Sequence, residues 1–227
     1  MATIVCVHGA FRGGWSFERV RAVLVSQGHD VRTPSLTGMG DRAHLHPEHV
    51  SLSMWIDDVV SLLTLSDLRE VILVGHSQGG LVASAVSGRC PERLRELVFL
   101  DAVEPAHGER GVDLMGGPPP SLPPAATWIP PTPLTDTSGL RPDDVAWINC
   151  RLCATPLGPS LDPVELDHPD AALIPRRRMF CSGTPEMYPS SFARRALEAQ
   201  GVAMTIVDEP HDVVMSNPEL VASFILG

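Results

Sequence analysis

The chain has no lysine: all 17 of its basic residues, spread over 227 positions, are arginines. That absence excludes Schiff-base chemistry, a Walker-type phosphate lysine and a lysine general base. Positive charge is scarce as well. Against 27 acidic residues the formal net charge is −10, and the isoelectric point lies near 5.3. Such a surface keeps a protein soluble and argues against nucleic acid or an anionic membrane as a partner. A basic leader and any long apolar run are also lacking, so neither a signal peptide nor a membrane span is expected. Cysteines number five, at 6, 90, 150, 153 and 181. This odd, scattered set suits a reducing compartment better than a disulfide framework, so the expected location is cytoplasmic. Cys150 and Cys153 form a C-x-x-C without a second pair, and His44, His46 and His49 sit in a polar loop without a nearby Asp or Cys set. Neither group is expected to hold a metal.

What is present fits one domain with a sizeable core, since 44% of residues are hydrophobic and 19% charged. Short β-rich runs alternate with helical patterns, which predicts an α/β fold built on a doubly wound, mostly parallel sheet. Strands are expected at Thr3–His8, Asp30–Thr33, Val71–Gly75, Glu96–Asp101, Arg177–Ser182 and Ala203–Asp208. Helices fit Trp15–Gln27, Ser53–Leu65, Ser77–Arg89, Pro189–Gln200 and Asn217–Leu226. In the first, Trp15, Val20, Val23 and Leu24 share a face and Gly28 closes the C-terminus. Asn217-Pro218 announces the last, a cap followed by proline in the first turn.

From about Pro105 to Pro175 this rhythm breaks, because the stretch holds 15 of the chain's 22 prolines. Proline lacks a backbone donor and fixes φ, so segments such as Gly116–Pro124 build neither a helix nor a central strand. Residues 105–175 are therefore expected to form an inserted cap over a core made of residues 1–104 and 176–227. Within the cap Asp143–Cys153 looks helical, and Trp128, Ile129 and Trp147 give it something to pack. The run Arg176–Arg178 reads as the flank of a strand with alternating exposure.

The strongest chemical signal is Val71-Ile72-Leu73-Val74-Gly75-His76-Ser77-Gln78-Gly79-Gly80, an apolar strand entering Gly-His-Ser-Gln-Gly. This is the spacing of a nucleophile elbow, in which a strained strand-to-helix turn needs small residues two positions either side of the serine. Gly75 and Gly79 supply them. The turn would lift the Ser77 hydroxyl to the sheet's carboxyl edge, at the start of the next helix. His211, in the loop between the last strand and the last helix, is the candidate base, because loops at the carboxyl ends of a doubly wound sheet converge. An anionic intermediate also needs two backbone donors. Gln78 N–H, next to the nucleophile, is one; Ala10 N–H, in the loop after the first strand, is the other. His8 is taken as a structural residue of that loop, and His76 as pointing away from the site.

The pieces Val-His-Gly-Ala-Phe-Arg-Gly-Gly-Trp from Val7, Leu-Thr-Gly-Met-Gly-Asp-Arg from Leu36, Gly-His-Ser-Gln-Gly-Gly from Gly75 and the closing His211 loop carry a resemblance. Together they resemble the plant methylesterase and hydroxynitrile lyase branch of the α/β-hydrolase superfamily, with its bacterial relatives. The resemblance implies an α/β-hydrolase fold with a cofactor-free Ser-His-acid site under a small cap. Lyase members have threonine where this chain has Gly9, and lysine where it has Asp212. Both markers are absent, so ester hydrolysis is favoured over cyanohydrin cleavage.

One departure concerns the acid. The family places it in a Cys-Thr-x-Asp-like turn, where this chain has Cys181-Ser182-Gly183-Thr184-Pro185. A neutral threonine hydroxyl offers only a dipole to an imidazolium. Asp101, at the end of the strand beyond the nucleophile's, is the preferred substitute, with Glu186 as alternative, Asp212 expected to diverge from the ring, and no functional acid as the remaining case.

The expected activity is cleavage of a small or medium, largely apolar ester or thioester through an acyl-enzyme, with a small molecule as the partner, no cofactor and no metal. Phe11, Trp128 and Trp147 are the residues expected to line the substrate pocket. A non-hydrolytic lyase, aldol or cyclase reaction on the same fold, and a binding protein without turnover, stay open. So does the oligomeric state, a homodimer included.

Overall fold

The computed structural model describes residues 1–45, 47–135 and 139–227. In chain order the strands are β1 (Thr3–Val7), β2 (Asp30–Arg32), β3 (Val71–His76), β4 (Leu94–Leu100), β5 (Trp128–Ile129), β6 (Thr155–Pro156), β7 (Arg176–Cys181) and β8 (Thr205–Val207). Six of them form one parallel sheet in the order β2-β1-β3-β4-β7-β8, while β5 and β6 pair antiparallel apart from it. The six sheet strands match the sequence expectation, with ends shifted by a few residues. The last begins at Thr205 rather than Ala203 because its edge position gives it a partner on one side only.

The helices are α1 (Glu18–Ser26), α2 (Leu52–Leu65), α3 (Gly79–Arg89), α4 (Pro142–Asn149), α5 (Gly158–Leu161), α6 (Pro189–Ala199), α7 (Val213–Ser216) and α8 (Pro218–Leu226). Both ends of the expected first helix change: Gly14–Phe17 is a tight three-residue-per-turn helix, and α1 proper follows it. The helix expected at Asp143–Cys153 is shorter, ending at Asn149. Its start signal holds, with Pro142 in the first turn.

Alternation along the strands explains the two layers. Val5, Val7, Leu73, Leu97 and Phe99 join one core cluster with Trp55, Val59 and Leu63 of α2 and Leu81 of α3. Ile4, Cys6, Ile72, Val74, Val98 and Leu100 point to the other, with Val20 and Leu24 of α1 and Val221 and Ile225 of α8. A period of two on strands buried on both faces is what a doubly wound sheet requires. All six residues of β3 are buried, which makes it a central strand. Each fully buried aliphatic or aromatic side chain there contributes roughly 1.5–3 kcal/mol from apolar burial.

The run Arg176–Arg178 is engaged in ion pairs. On β7, Arg176 and Arg178 both reach Glu104, at 2.9 and 2.5 Å. Between them Arg177 pairs with Glu96 and donates to the Phe224 and Ile225 carbonyls at the end of α8. Adjacent residues of a strand face opposite sides, so three consecutive arginines serve two faces.

The segment between β4 and β7 contributes to both cores. Val164 and Ile174 enter the first cluster, and Leu140, Val145 and Ile148 the second. Among the described residues no helix is long and apolar enough to cross a membrane.

Candidate active site

The chain runs from β1 outward to β2 and then returns to the other side of β1 as β3. That reversal opens a crevice at the carboxyl ends of β1 and β3, the usual binding place in open α/β sheets. Ser77 leaves β3 into it with φ of 55°, a left-handed backbone that few side chains adopt. The bend needs glycine on both sides: a Cβ at Gly75 would stand 2.7 Å from the Gly79 carbonyl oxygen, and one at Gly79 2.3 Å from that of Val7.

His211 lies after β8, just before α7. Its Nε2 is 3.0 Å from Ser77 Oγ, and its Nδ1 is hydrogen-bonded to Asp101 Oδ2. Since the carboxylate only accepts, Nδ1–H donates to it, and the Nε2 lone pair faces the serine hydroxyl. Asp101 directly follows β4, is 1% exposed, and has φ of 43°. Its carboxylate also accepts from Cys181 N–H at 3.1 Å, Thr184 Oγ1 at 2.5 Å and Ser190 Oγ at 3.4 Å. Burial pushes the Asp101 carboxyl upward, but the His211, Thr184 and Cys181 donors prevail and hold it below its ordinary value. Glu186 is exposed, and the hydrogen-bond partners of the His211 ring are Asp101 and Ser77, not Glu186.

Two other histidines support the site. His76 donates from Nε2 to the His211 carbonyl at 2.9 Å, and their ring centroids are 4.9 Å apart. Burial lowers His76 to about 4, so it stands neutral beside His211. His8 donates from Nδ1 to the Gly9 carbonyl at 2.8 Å and accepts from Leu36 N–H at 3.1 Å. It braces the loop after β1, and burial lowers it too to about 4. The N–H groups of Ala10 and Gln78 have no protein acceptor among the described residues.

A cavity of about 480 Å³ opens over Ser77 and His211, with Phe11, Leu81, Val112, Met115, Ile129 and Leu134 among its walls. Phe11 stands where the sequence places it, but Trp128 and Trp147 do not line the cavity. Neighbouring strand residues face opposite ways, so β5 turns Ile129 into the cavity and packs Trp128 on the core near Gly38. Trp147 stacks edge-on against Trp15, with centroids 5.2 Å apart, under the Arg151 guanidinium at 4.1 Å.

Sequence reasoning named Thr184 only as standing nearest the family's acid position, and gave no role to Tyr188, Thr155 or Arg12. Tyr188 meets the His211 ring edge-on at 4.9 Å, Thr184 donates to Asp101, Thr155 accepts from Phe11 N–H at 2.6 Å, and Arg12 pairs with Asp212. The only tyrosine and a charged pair flanking the two active loops are visible in the sequence, yet contacts spanning 144 or 200 residues carry no local pattern. Among the described residues, no group of three or more His, Cys, Asp or Glu side chains is placed to hold a metal, and His46 lies outside them.

Residues 4–224 match the family model described as the alpha/beta hydrolase family. The chain belongs to that family. Within it, the chain is 47% identical over 124 residues to the carbendazim hydrolyzing esterase of Nocardioides sp. strain SG-4G, covering 55% of this chain and 50% of that protein. It is 34% identical over 105 residues to methylesterase 10 of Arabidopsis thaliana, covering 45% and 38%. The chain thus spans half or less of the length of these two curated relatives. The alpha/beta hydrolase fold is matched over its full length by an extracellular alpha/beta-hydrolase from a Paenibacillus species, with a TM-score of 0.82 at 20% identity, covering 100% of this chain and 98% of that one. The Arabidopsis methylesterase MES16 gives a TM-score of 0.81 at 22% identity, covering 100% and 98%.

Proposed function

We propose that this alpha/beta hydrolase is a serine esterase for small or medium, largely apolar esters or thioesters. The observation that carries the reading is the unbroken hydrogen-bonded chain from Ser77 Oγ through His211 to Asp101. His211 Nε2 takes the hydroxyl proton as Ser77 Oγ attacks the carbonyl carbon, and Asp101 stabilises the imidazolium. Ala10 and Gln78 N–H groups receive the oxyanion. The protonated His211 then gives its proton to the departing alcohol or thiol, leaving an acyl-enzyme. Water, deprotonated by the same imidazole, attacks the acyl carbon and frees the acid and Ser77. Each oxyanion donor contributes on the order of 2.7–4 kcal/mol to lowering the barrier. Residues 105–175 act as the cap that shapes the cavity and excludes water. No step calls for a cofactor.

Ester hydrolysis is supported by the esterase and methylesterase relatives. The lyase alternative loses support at position 9, where a Cβ would stand 2.8 Å from Ser77 Cβ and leave no room for threonine without displacement. We assign the protein to the cytoplasm on the strength of its five free cysteines.

A fluorophosphonate probe should label Ser77, and p-nitrophenyl butyrate should give a burst of p-nitrophenol that Ser77→Ala abolishes. Labelling or turnover that persists in Ser77→Ala, or the absence of both in the unmutated protein, would overturn the reading.

A further inference from the structure

A buried ion pair stands in the cavity wall. Arg12 donates from Nε to Asp212 Oδ1 at 3.2 Å, and from an Nη to both carboxylate oxygens at 3.0 Å. The two residues are 8% and 5% exposed, and both line the cavity. Arg12 belongs to the loop that carries Ala10; Asp212 directly follows His211. Among the described lining residues Arg12 is the one arginine, and the chain has no lysine. His76 is neutral at ordinary pH, and His211 has its Nδ1–H on Asp101. Of the permanent charges at the site, Arg12 and Asp212 cancel, and Asp101 leaves an excess of negative charge.

We infer that Asp212 sets the charge specificity of the cavity: by occupying Arg12 it admits neutral esters and turns away esters whose acyl part carries a carboxylate. The inference rests on the esterase reading above. The pair engages Nε and one Nη of Arg12, and the Asp212 carboxylate cancels the guanidinium's charge, so Arg12 offers an anionic substrate little net attraction. Beside apolar walls of low dielectric the remaining negative charge repels such a substrate more strongly than it would in bulk solvent. The same arrangement leaves the carboxylate product of hydrolysis without a cation to hold it, which favours its release. Burial opposes the charge on Asp212, but the Arg12 guanidinium prevails and keeps its carboxyl below the ordinary value, so the pair exists as ions.

The test compares p-nitrophenyl hexanoate with mono-p-nitrophenyl adipate, which has the same chain length and adds a terminal carboxylate too distant to attack its own ester. In the unmutated protein kcat/KM should favour the neutral ester at least tenfold beyond the ratio of the two spontaneous hydrolysis rates. Asp212→Asn, which frees Arg12, should cut that preference at least tenfold. The double variant Arg12→Gln/Asp212→Asn removes both charges and should keep the unmutated preference within threefold. A preference under tenfold in the unmutated protein, or one unchanged in Asp212→Asn, overturns the inference while leaving the esterase reading intact. Should Asp212→Asn fail to fold, Asp212→Ser, which also leaves Arg12 without its carboxylate, is held to the same threshold. Hydrolysis of neither ester would instead strike the esterase reading, and this inference with it.

Discussion

At Asp101 two opposing effects meet within one carboxyl group. Burial disfavours its charge, and donors from His211, Thr184 and Cys181 restore it. Only the ionised form holds the His211 tautomer that leaves Nε2 facing Ser77, because an amide would present a donor as readily as an acceptor. Asp101→Asn should therefore lower kcat by about two to four orders of magnitude with little change in KM. Steady-state kinetics on p-nitrophenyl butyrate would show it, and a loss below tenfold would remove Asp101 from the orienting role. Exposed Glu186 makes the comparison, since Glu186→Gln should stay within about twofold if the mechanism uses no group at that position. The elbow is legible in the sequence because its constraint is local, two glycines around one serine. Asp101 is legible only as one choice among carboxylates, because its pairing with His211 spans 110 residues. Thr184 is half legible: its neutral hydroxyl is visible, but the sequence does not show that it donates to Asp101.

Elements, rather than single residues, fix the loop that carries Ala10. Phe11 has φ of 62°, and its peptide is gripped at both ends: its N–H donates to Thr155 Oγ1 at 2.6 Å, and its carbonyl accepts from Cys153 N–H at 3.2 Å. Cys153 lies just before β6 and Thr155 begins it, so the chain entering β6 holds the loop that carries Ala10. Thr155→Val would leave a partly buried N–H without its acceptor, at a cost of about 1 kcal/mol. The expected result is a lower urea midpoint together with a fall in kcat, whereas Thr155→Ser should restore both. Valine keeps the methyl group and loses only the hydroxyl, so an unchanged kcat in Thr155→Val would remove the hydrogen bond from this role. This grip is illegible in the sequence for a physical reason. Proline-rich segments between β4 and β6 carry no periodicity, so neither the two-residue pairing of β5 with β6 nor the turning of Ile129 inward in place of Trp128 follows from pattern. The sheet strands are legible because burial on both faces selects continuous apolar runs, as in β3.

Across the whole molecule, His8 and His76 link folding to pH. One braces the loop after β1 and the other holds the His211 carbonyl, and burial lowers both to about 4. An unfolded histidine titrates near 6.5. Between those values the unfolded chain binds more protons than the folded one, so stability is fully present above about 6.5 and is lost as the pH falls toward 4. Each histidine contributes on the order of 3 kcal/mol over that window. Asp101 and Asp212 act lower, because carboxyls held below their ordinary value lose their contribution only as the pH falls beneath the usual carboxylate range. Urea midpoints measured from pH 7.5 to 4.5 should therefore drop mainly through the histidines. His8→Gln keeps a donor and an acceptor but does not titrate, so it should lower stability at pH 7.5 and flatten the pH slope by about half. A slope as steep as that of the unmutated protein would show that His8 already binds its proton while folded, which would also loosen the loop that carries Ala10 toward Ser77.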